Sequence, residues 1–168
     1  MNLKKIKINS YGKLKEKEIN LNNGINIIYG KNEAGKSTLL NFIINTFYGI
    51  SKNKKGKEYS DFEKYTPWFG EDFSGKIEYE LNNKNKYEIY RDFKKKNPKI
   101  FNENMEDVSK EFNIDKTKGN QFFYEQTGVD EELFLSTLVV GQTETKLRKT
   151  RAKYISAKNS KFSWNRKW

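Results

Sequence analysis

The chain of 168 residues has no cysteine and no histidine. Without cysteine there can be neither disulfides nor thiolate metal sites. Without histidine there is no imidazole to ligate a metal, act as a general base or activate a serine nucleophile. No run of apolar residues approaches the roughly 18 needed to cross a membrane. The opening MNLKKIKINS is charged but has no apolar stretch, so no secretory leader is read there. Cytoplasmic residence without a membrane partner is the expectation. Acids are missing from the tail: residues 146–168 carry nine Lys or Arg and no Asp or Glu. That leaves 24 bases against 22 acids in residues 1–145, so the net charge of +11 belongs mostly to the tail. A basic tail on a near-neutral body is not a basic binding face.

What the chain does have is aromatic residues, 15% of the total, around which a small core can form despite a hydrophobic content of 35%. Leu3–Asn9 alternates apolar and polar residues and reads as a strand. Lys15–Leu21 reads as a polar edge strand and Asn22-Asn23-Gly24 as a turn. Ile25–Tyr29 reads as a short buried strand. Leu39, Leu40, Ile43, Ile44 and Phe47 then fall at helical spacing within Ser37–Tyr48, and Gly49 stops the helix. Residues 51–72 read as a polar loop. Gly75–Leu81 and Lys86–Arg91 form a hairpin across Asn82–Asn85. Residues 94–120 are expected to mix loop and short helix, and Asp130–Leu135 to form a short helix ahead of the apolar Leu138–Val140. The expected fold class is α/β, with a mixed sheet, a helix after the glycine loop and an antiparallel β-subdomain.

Gly30-Lys31-Asn32-Glu33-Ala34-Gly35-Lys36-Ser37-Thr38 matches G-x-x-x-x-G-K-[ST] in full. The two glycines let the loop curl so that its backbone N–H groups converge on phosphate oxygens. The helix that follows adds the positive end of its dipole. Lys36 is placed to reach the β- and γ-phosphates, and the Ser37 hydroxyl to hold Mg²⁺. ATP and Mg²⁺ are the expected ligands. The bland alternative, a glycine turn capping an ordinary helix, is disfavoured by a complete match between a strand-like and a helix-like segment.

Other phosphate-binding classes fit less well. Asp72-Phe73-Ser74-Gly75 spells the D-x-x-G of a small GTPase, but no apolar strand leads into it. Asn83-Lys84-Asn85-Lys86 ends in Lys where that class needs Asp. Arg91 is the single arginine before residue 148, so an arginine-rich kinase lid is missing.

The N-terminal stretch resembles the start of SMC-like ATPases, the branch that includes double-strand-break-repair, RecF-like and YhaN-like proteins. The resemblance rests on Leu3–Asn9, Gly24–Gly30, the Asn-Glu-Ala-Gly-Lys-Ser-Thr loop, Pro67-Trp68, the 75–91 hairpin and Val139-Val140-Gly141-Gln142. It covers residues 1–147 and implies an ATP-binding lobe in which Gln142 contacts Mg²⁺ and the attacking water. By the same analogy Lys13 and Tyr65–Trp68 flank the adenine, though ordinary packing or exposure explains them as readily.

That family hydrolyses ATP with an L-S-G-G signature loop and a Walker B strand ending in Asp-Glu. Both lie on a C-terminal lobe, and neither motif is found in this chain. The expectation is therefore a lobe of a DNA-repair or chromosome-maintenance ATPase that does not hydrolyse ATP alone, with DNA reached through the parent protein. The alternatives are a non-catalytic interaction fragment or a small nucleic-acid-binding protein. For the latter, basic and aromatic residues interleave best on the hairpin (Lys76, Tyr79, Lys86, Tyr87, Tyr90, Arg91), diluted by Glu78, Glu80 and Glu88. Residues 148–168 depart from the family pattern and are expected to be a disordered or out-of-frame appendage, with a genuine basic nucleic-acid-binding arm as the alternative.

Overall fold

The computed structural model describes residues 1–53, 58–68, 72–115 and 119–138. Met1–Gln126 form one compact unit and the chain from Thr127 a second.

The first unit is organised on a five-stranded antiparallel sheet in the order β2-β1-β3-β4-β5. Its strands are β1 (Asn2–Tyr11), β2 (Leu14–Asn20), β3 (Ser74–Glu80), β4 (Lys86–Asp92) and β5 (Lys99–Asn102). Alternation along each strand sorts the side chains. Ile6, Ile8, Ile77, Ile89 and Ile100 line a buried face, with Ile6 and Ile77 paired across β1–β3 and Ile77 and Ile89 across β3–β4. Lysines and glutamates occupy the other face, where Lys5–Glu18 (2.7 Å) and Lys76–Glu88 (2.5 Å) pair across neighbouring strands.

On the buried face lies α1 (Lys36–Tyr48), which buries Leu39, Phe42, Ile44, Asn45, Thr46 and Phe47. Leu40 and Ile43, read as core from their spacing, are only half-buried. Phe42 takes the central place instead, because Gly75 leaves a gap in β3. A Cβ on Gly75 would stand 2.6 Å from the Phe42 ring and 2.7 Å from the Lys7 carbonyl oxygen. Rings close the core around it: Tyr11 lies edge-on to Phe42, stacked on Tyr65, and against Phe73 and Phe93.

The loop expected over 51–72 contains a short helix, α2 (Asp61–Tyr65), started by a capping box in which the Ser60 hydroxyl accepts from the Glu63 N–H and the Glu63 carboxylate accepts from the Ser60 N–H. Beyond the sheet come a 3₁₀ turn (Ser109–Glu111), the two-residue strands β6 (Ile114–Asp115) and β7 (Gly119–Asn120), and α3 (Phe122–Thr127). In the second unit, α4 (Glu131–Leu133) starts at Asp130, whose side chain accepts from the Leu133 N–H, and runs into a π turn (Phe134–Leu138). This matches the short helix expected there.

Two expectations are corrected. Ile25–Tyr29 forms no strand and is not buried: Ile25, Ile27 and Tyr29 are 94%, 81% and 91% exposed. An extended segment becomes a strand only when a neighbour takes up its N–H and C=O groups, and no described residue pairs with it. For the same reason the sheet is not mixed. Every strand pair among the described residues is antiparallel.

Candidate functional site

Gly30–Thr38 bridges the exposed segment and α1. Within it the Ala34 N–H donates to the Lys31 carbonyl at 3.2 Å, and Glu33 takes a positive φ of 64°. Gly35 serves as the helix N-cap at φ 99°, a left-handed conformation that glycine adopts without a Cβ penalty. A side chain at Gly35 would also collide with Leu14 Cδ2 at 2.8 Å, with Lys13 Cε 3.5 Å away. The β1–β2 turn thus lies against the back of the loop, and the Leu14 side chain would have to move aside for any larger residue at this position.

This helix start is open to an anion. The first-turn N–H groups of a helix have no partner within it, yet α1 has no side-chain cap and no acid in its first turn. The contrast with α2 is direct, since α2 carries a full capping box and two first-turn acids, Asp61 and Glu63. Lys36 folds back over the loop and donates from Nζ to the carbonyls of Gly30 (2.6 Å) and Lys31 (2.8 Å). Its charge is therefore held at the mouth of the helix, and an incoming phosphate oxygen would meet it there. Ser37 is exposed in the first turn, and its carbonyl accepts from Asn41 Nδ2 at 2.8 Å. The loop's donors and the Lys36 ammonium suit a polyphosphate. Among the described residues no cluster of three or more Asp, Glu, His or Cys could hold a metal. A Mg²⁺ here would depend on Ser37 together with the phosphates.

Lys13 lies beside the loop, its Cε 3.5 Å from where a Cβ on Gly35 would stand, whereas Tyr65 is not placed to stack on a base. Tyr65 is buried with 6% exposure and stacked on Tyr11 at 4.9 Å, and its carbonyl accepts from the Gly12 N–H. Trp68 from the same segment is 92% exposed. Asp72 and Phe73 lead directly into β3, which begins at Ser74, so Ser74 and Gly75 belong to the sheet. Gln142, residues 54–57 and the tail 148–168 lie outside the described residues. The hairpin is not an aromatic and basic platform, because Tyr79 and Arg91 are buried in the core and Lys76 is paired with Glu88. Arg91, counted there as a surface cation, was readable otherwise. It stands two residues from Ile89, on the same face of β4.

No helix among the described residues is long and apolar enough to cross a membrane. No curated protein matches the chain. The profile of the AAA domain family matches residues 5–167, a span that takes in the loop, all of the sheet but the first three residues of β1, and all but the last residue of the basic tail. On that match, which spans the G-x-x-x-x-G-K-[ST] loop, the chain belongs to the AAA domain family of P-loop, nucleotide-binding ATPases.

Proposed function

We propose that this chain is the ATP-binding N-terminal lobe of an SMC-like ATPase, with an antiparallel β-subdomain supporting the loop, and that it depends on a C-terminal lobe for hydrolysis. The observation that carries the reading is the uncapped start of α1 with the Lys36 ammonium folded across it. In this reading the first-turn N–H groups and Lys36 bind the polyphosphate, and the Ser37 hydroxyl supplies a ligand to Mg²⁺. The metal would neutralise phosphate charge. Gly35 and the Lys13–Leu14 turn keep the loop's backbone in place. Gln142 is assigned the water-positioning role by resemblance.

Two features support a missing second lobe. Ile25–Tyr29 exposes an uncharged, β-prone edge beside the loop, and α1 leaves Leu40 and Ile43 half-covered on its outer side. Both are surfaces that a completed sheet and a second layer would bury. A role in DNA repair or chromosome maintenance, cytoplasmic residence and contact with DNA through the parent protein belong to the same proposal. Titrating Mg²⁺-ATP into the wild type and Lys36→Ala tests it. Losing a charge-assisted contact to phosphate should weaken binding roughly ten- to a hundredfold. Equal affinity in the two proteins would overturn the site.

A further inference from the structure

Arg91 is a buried cation with no carboxylate partner among the described residues. It is 3% exposed, and no ion pair among the described residues includes it. A buried charge of this kind is costly unless hydrogen bonds replace its water. Here they do, and all come from backbone. Nε and Nη2 both donate to the Thr46 carbonyl, at 3.0 and 2.8 Å. Nη2 also reaches the Phe47 carbonyl at 3.5 Å, and Nη1 donates to the Lys96 carbonyl at 3.1 Å.

Thr46 and Phe47 lie in the last turn of α1, where helix carbonyls have no intrahelical donor and carry the negative end of the dipole. The guanidinium therefore ties the end of the phosphate-loop helix to β4 and to the loop after it. α1 has other seats on the sheet, Phe42 over Gly75 and the Asn45 amide on the Tyr11 hydroxyl, both nearer the middle of the helix. The forked grip on Thr46 adds two directed hydrogen bonds at the C-terminal end of the helix. Lys36 and Ser37 are the first two residues of the same helix, so any axial slip at its end moves the phosphate-binding groups by an equal distance.

We propose that Arg91 is a positioning residue for nucleotide binding, which sets the axial seat of the P-loop helix and so the place of its phosphate-binding N–H groups. The proposal rests on the nucleotide reading above. It makes Arg91 part of the phosphate site although it stands at the opposite end of α1.

The test uses the full chain and two probes, Mg²⁺-ATP and inorganic Mg²⁺-tripolyphosphate, the latter reporting on the loop alone. Arg91→Met keeps the length and loses every donor, whereas Arg91→Lys restores a single charged donor. At a temperature where circular dichroism shows both folded, Kd for both probes should rise roughly tenfold in Arg91→Met and recover in part in Arg91→Lys. If both bind as the wild type does while Lys36→Ala does not, Arg91 is merely structural and the proposal falls. If Lys36→Ala also binds normally, it is the site itself that has been misassigned. Should the variants fail to fold, the wild type decides. The Arg91 Nε–Hε resonance should shift along the tripolyphosphate isotherm, and a stationary signal while loop amides move would sink the idea.

Discussion

Asn45 donates a 2.6 Å hydrogen bond from its side-chain amide to the Tyr11 hydroxyl in the protein interior, joining the phosphate-loop helix to the end of β1. Both groups are polar and shielded from water, so each depends on the other for its partner. Tyr11→Phe keeps the ring among Phe42, Tyr65, Phe73 and Phe93 and removes only the oxygen. Chemical denaturation should show a loss of about 1–2 kcal/mol, the cost of leaving the Asn45 amide unpaired. An unchanged midpoint would mean that Asn45 finds another acceptor.

The same burial governs alkaline stability. Desolvation pushes the Tyr11 hydroxyl far above the ordinary tyrosine range, against the opposing effect of Asn45. It pushes Tyr79 up in the same way, against the opposing bond to Gln126. Folded values raised above the unfolded value of about 10 give stability that is complete below that pH and lost as pH climbs beyond it. At least two of the ten tyrosines should therefore ionise only as the fold opens. Phenolate absorbance and far-ultraviolet dichroism followed together will check this. Full ionisation with an intact spectrum would contradict it.

Gly75→Ala should damage the fold more than a typical strand substitution. The new methyl would meet the Phe42 ring on one side and the Lys7 carbonyl on another, both closer than 3 Å. Overpacking of this kind costs about 1–3 kcal/mol. Because the displaced ring belongs to α1, Mg²⁺-ATP affinity should fall with it. Gly24→Ala serves as the comparison, with open space around its Cβ position but a strained φ of 89°. If Gly75→Ala proves no worse than Gly24→Ala, the tight seat is wrong.

Exposure at Ile27 allows a change without a folding penalty. The segment Leu21–Gly30 contains no charged residue, in a chain where charged residues make up 33%. Uncharged, β-prone and unpaired, it is suited to associate with other strands. Ile27→Lys should lower concentration-dependent association seen by light scattering and leave stability within about 0.5 kcal/mol. A large loss of stability would show that the side chain is buried after all.

On the two-lobe reading proposed above, catalytic turnover is expected to be negligible for the chain alone, since phosphoryl transfer depends on groups that fix water and charge, and that reading assigns them to the other lobe. Gln142→Ala should leave Mg²⁺-ATP affinity nearly unchanged, because its assigned role concerns water and metal. Steady phosphate release that vanishes in Lys36→Ala would reveal a catalytic carboxylate elsewhere in the chain.

Local pattern made much of this legible. The β3–β4 hairpin could be read from strict alternation across an Asn-rich turn, and the loop from an eight-position motif between strand-like and helix-like neighbours. Interactions across sequence were not legible. Ile25–Tyr29 has every local feature of a buried strand, but burial requires a partner, and composition cannot reveal whether one is present. Phe42 is not among the residues picked out by helical spacing, because nothing local announces that Gly75, 33 positions later, leaves room for its ring. Arg91 was taken for surface charge by residue type, although its parity with Ile89 pointed inward. Desolvated arginines are rare enough for type to prevail over position.

The connection from β2 to β3 has a kinetic meaning. The chain leaves the sheet after Asn20, passes through the phosphate loop, α1 and α2, and returns at Ser74 to pair with the far side of β1. Closing a loop of roughly fifty residues costs about 3–4 kcal/mol of chain entropy before any contact repays it. The β3–β4–β5 meander, by contrast, is local and can form early. The slow step of folding should then be the docking of β1 and β2 onto a finished meander, which traps the helix beneath them. Phosphate-binding competence would emerge all at once in that step, and never in a partly folded chain.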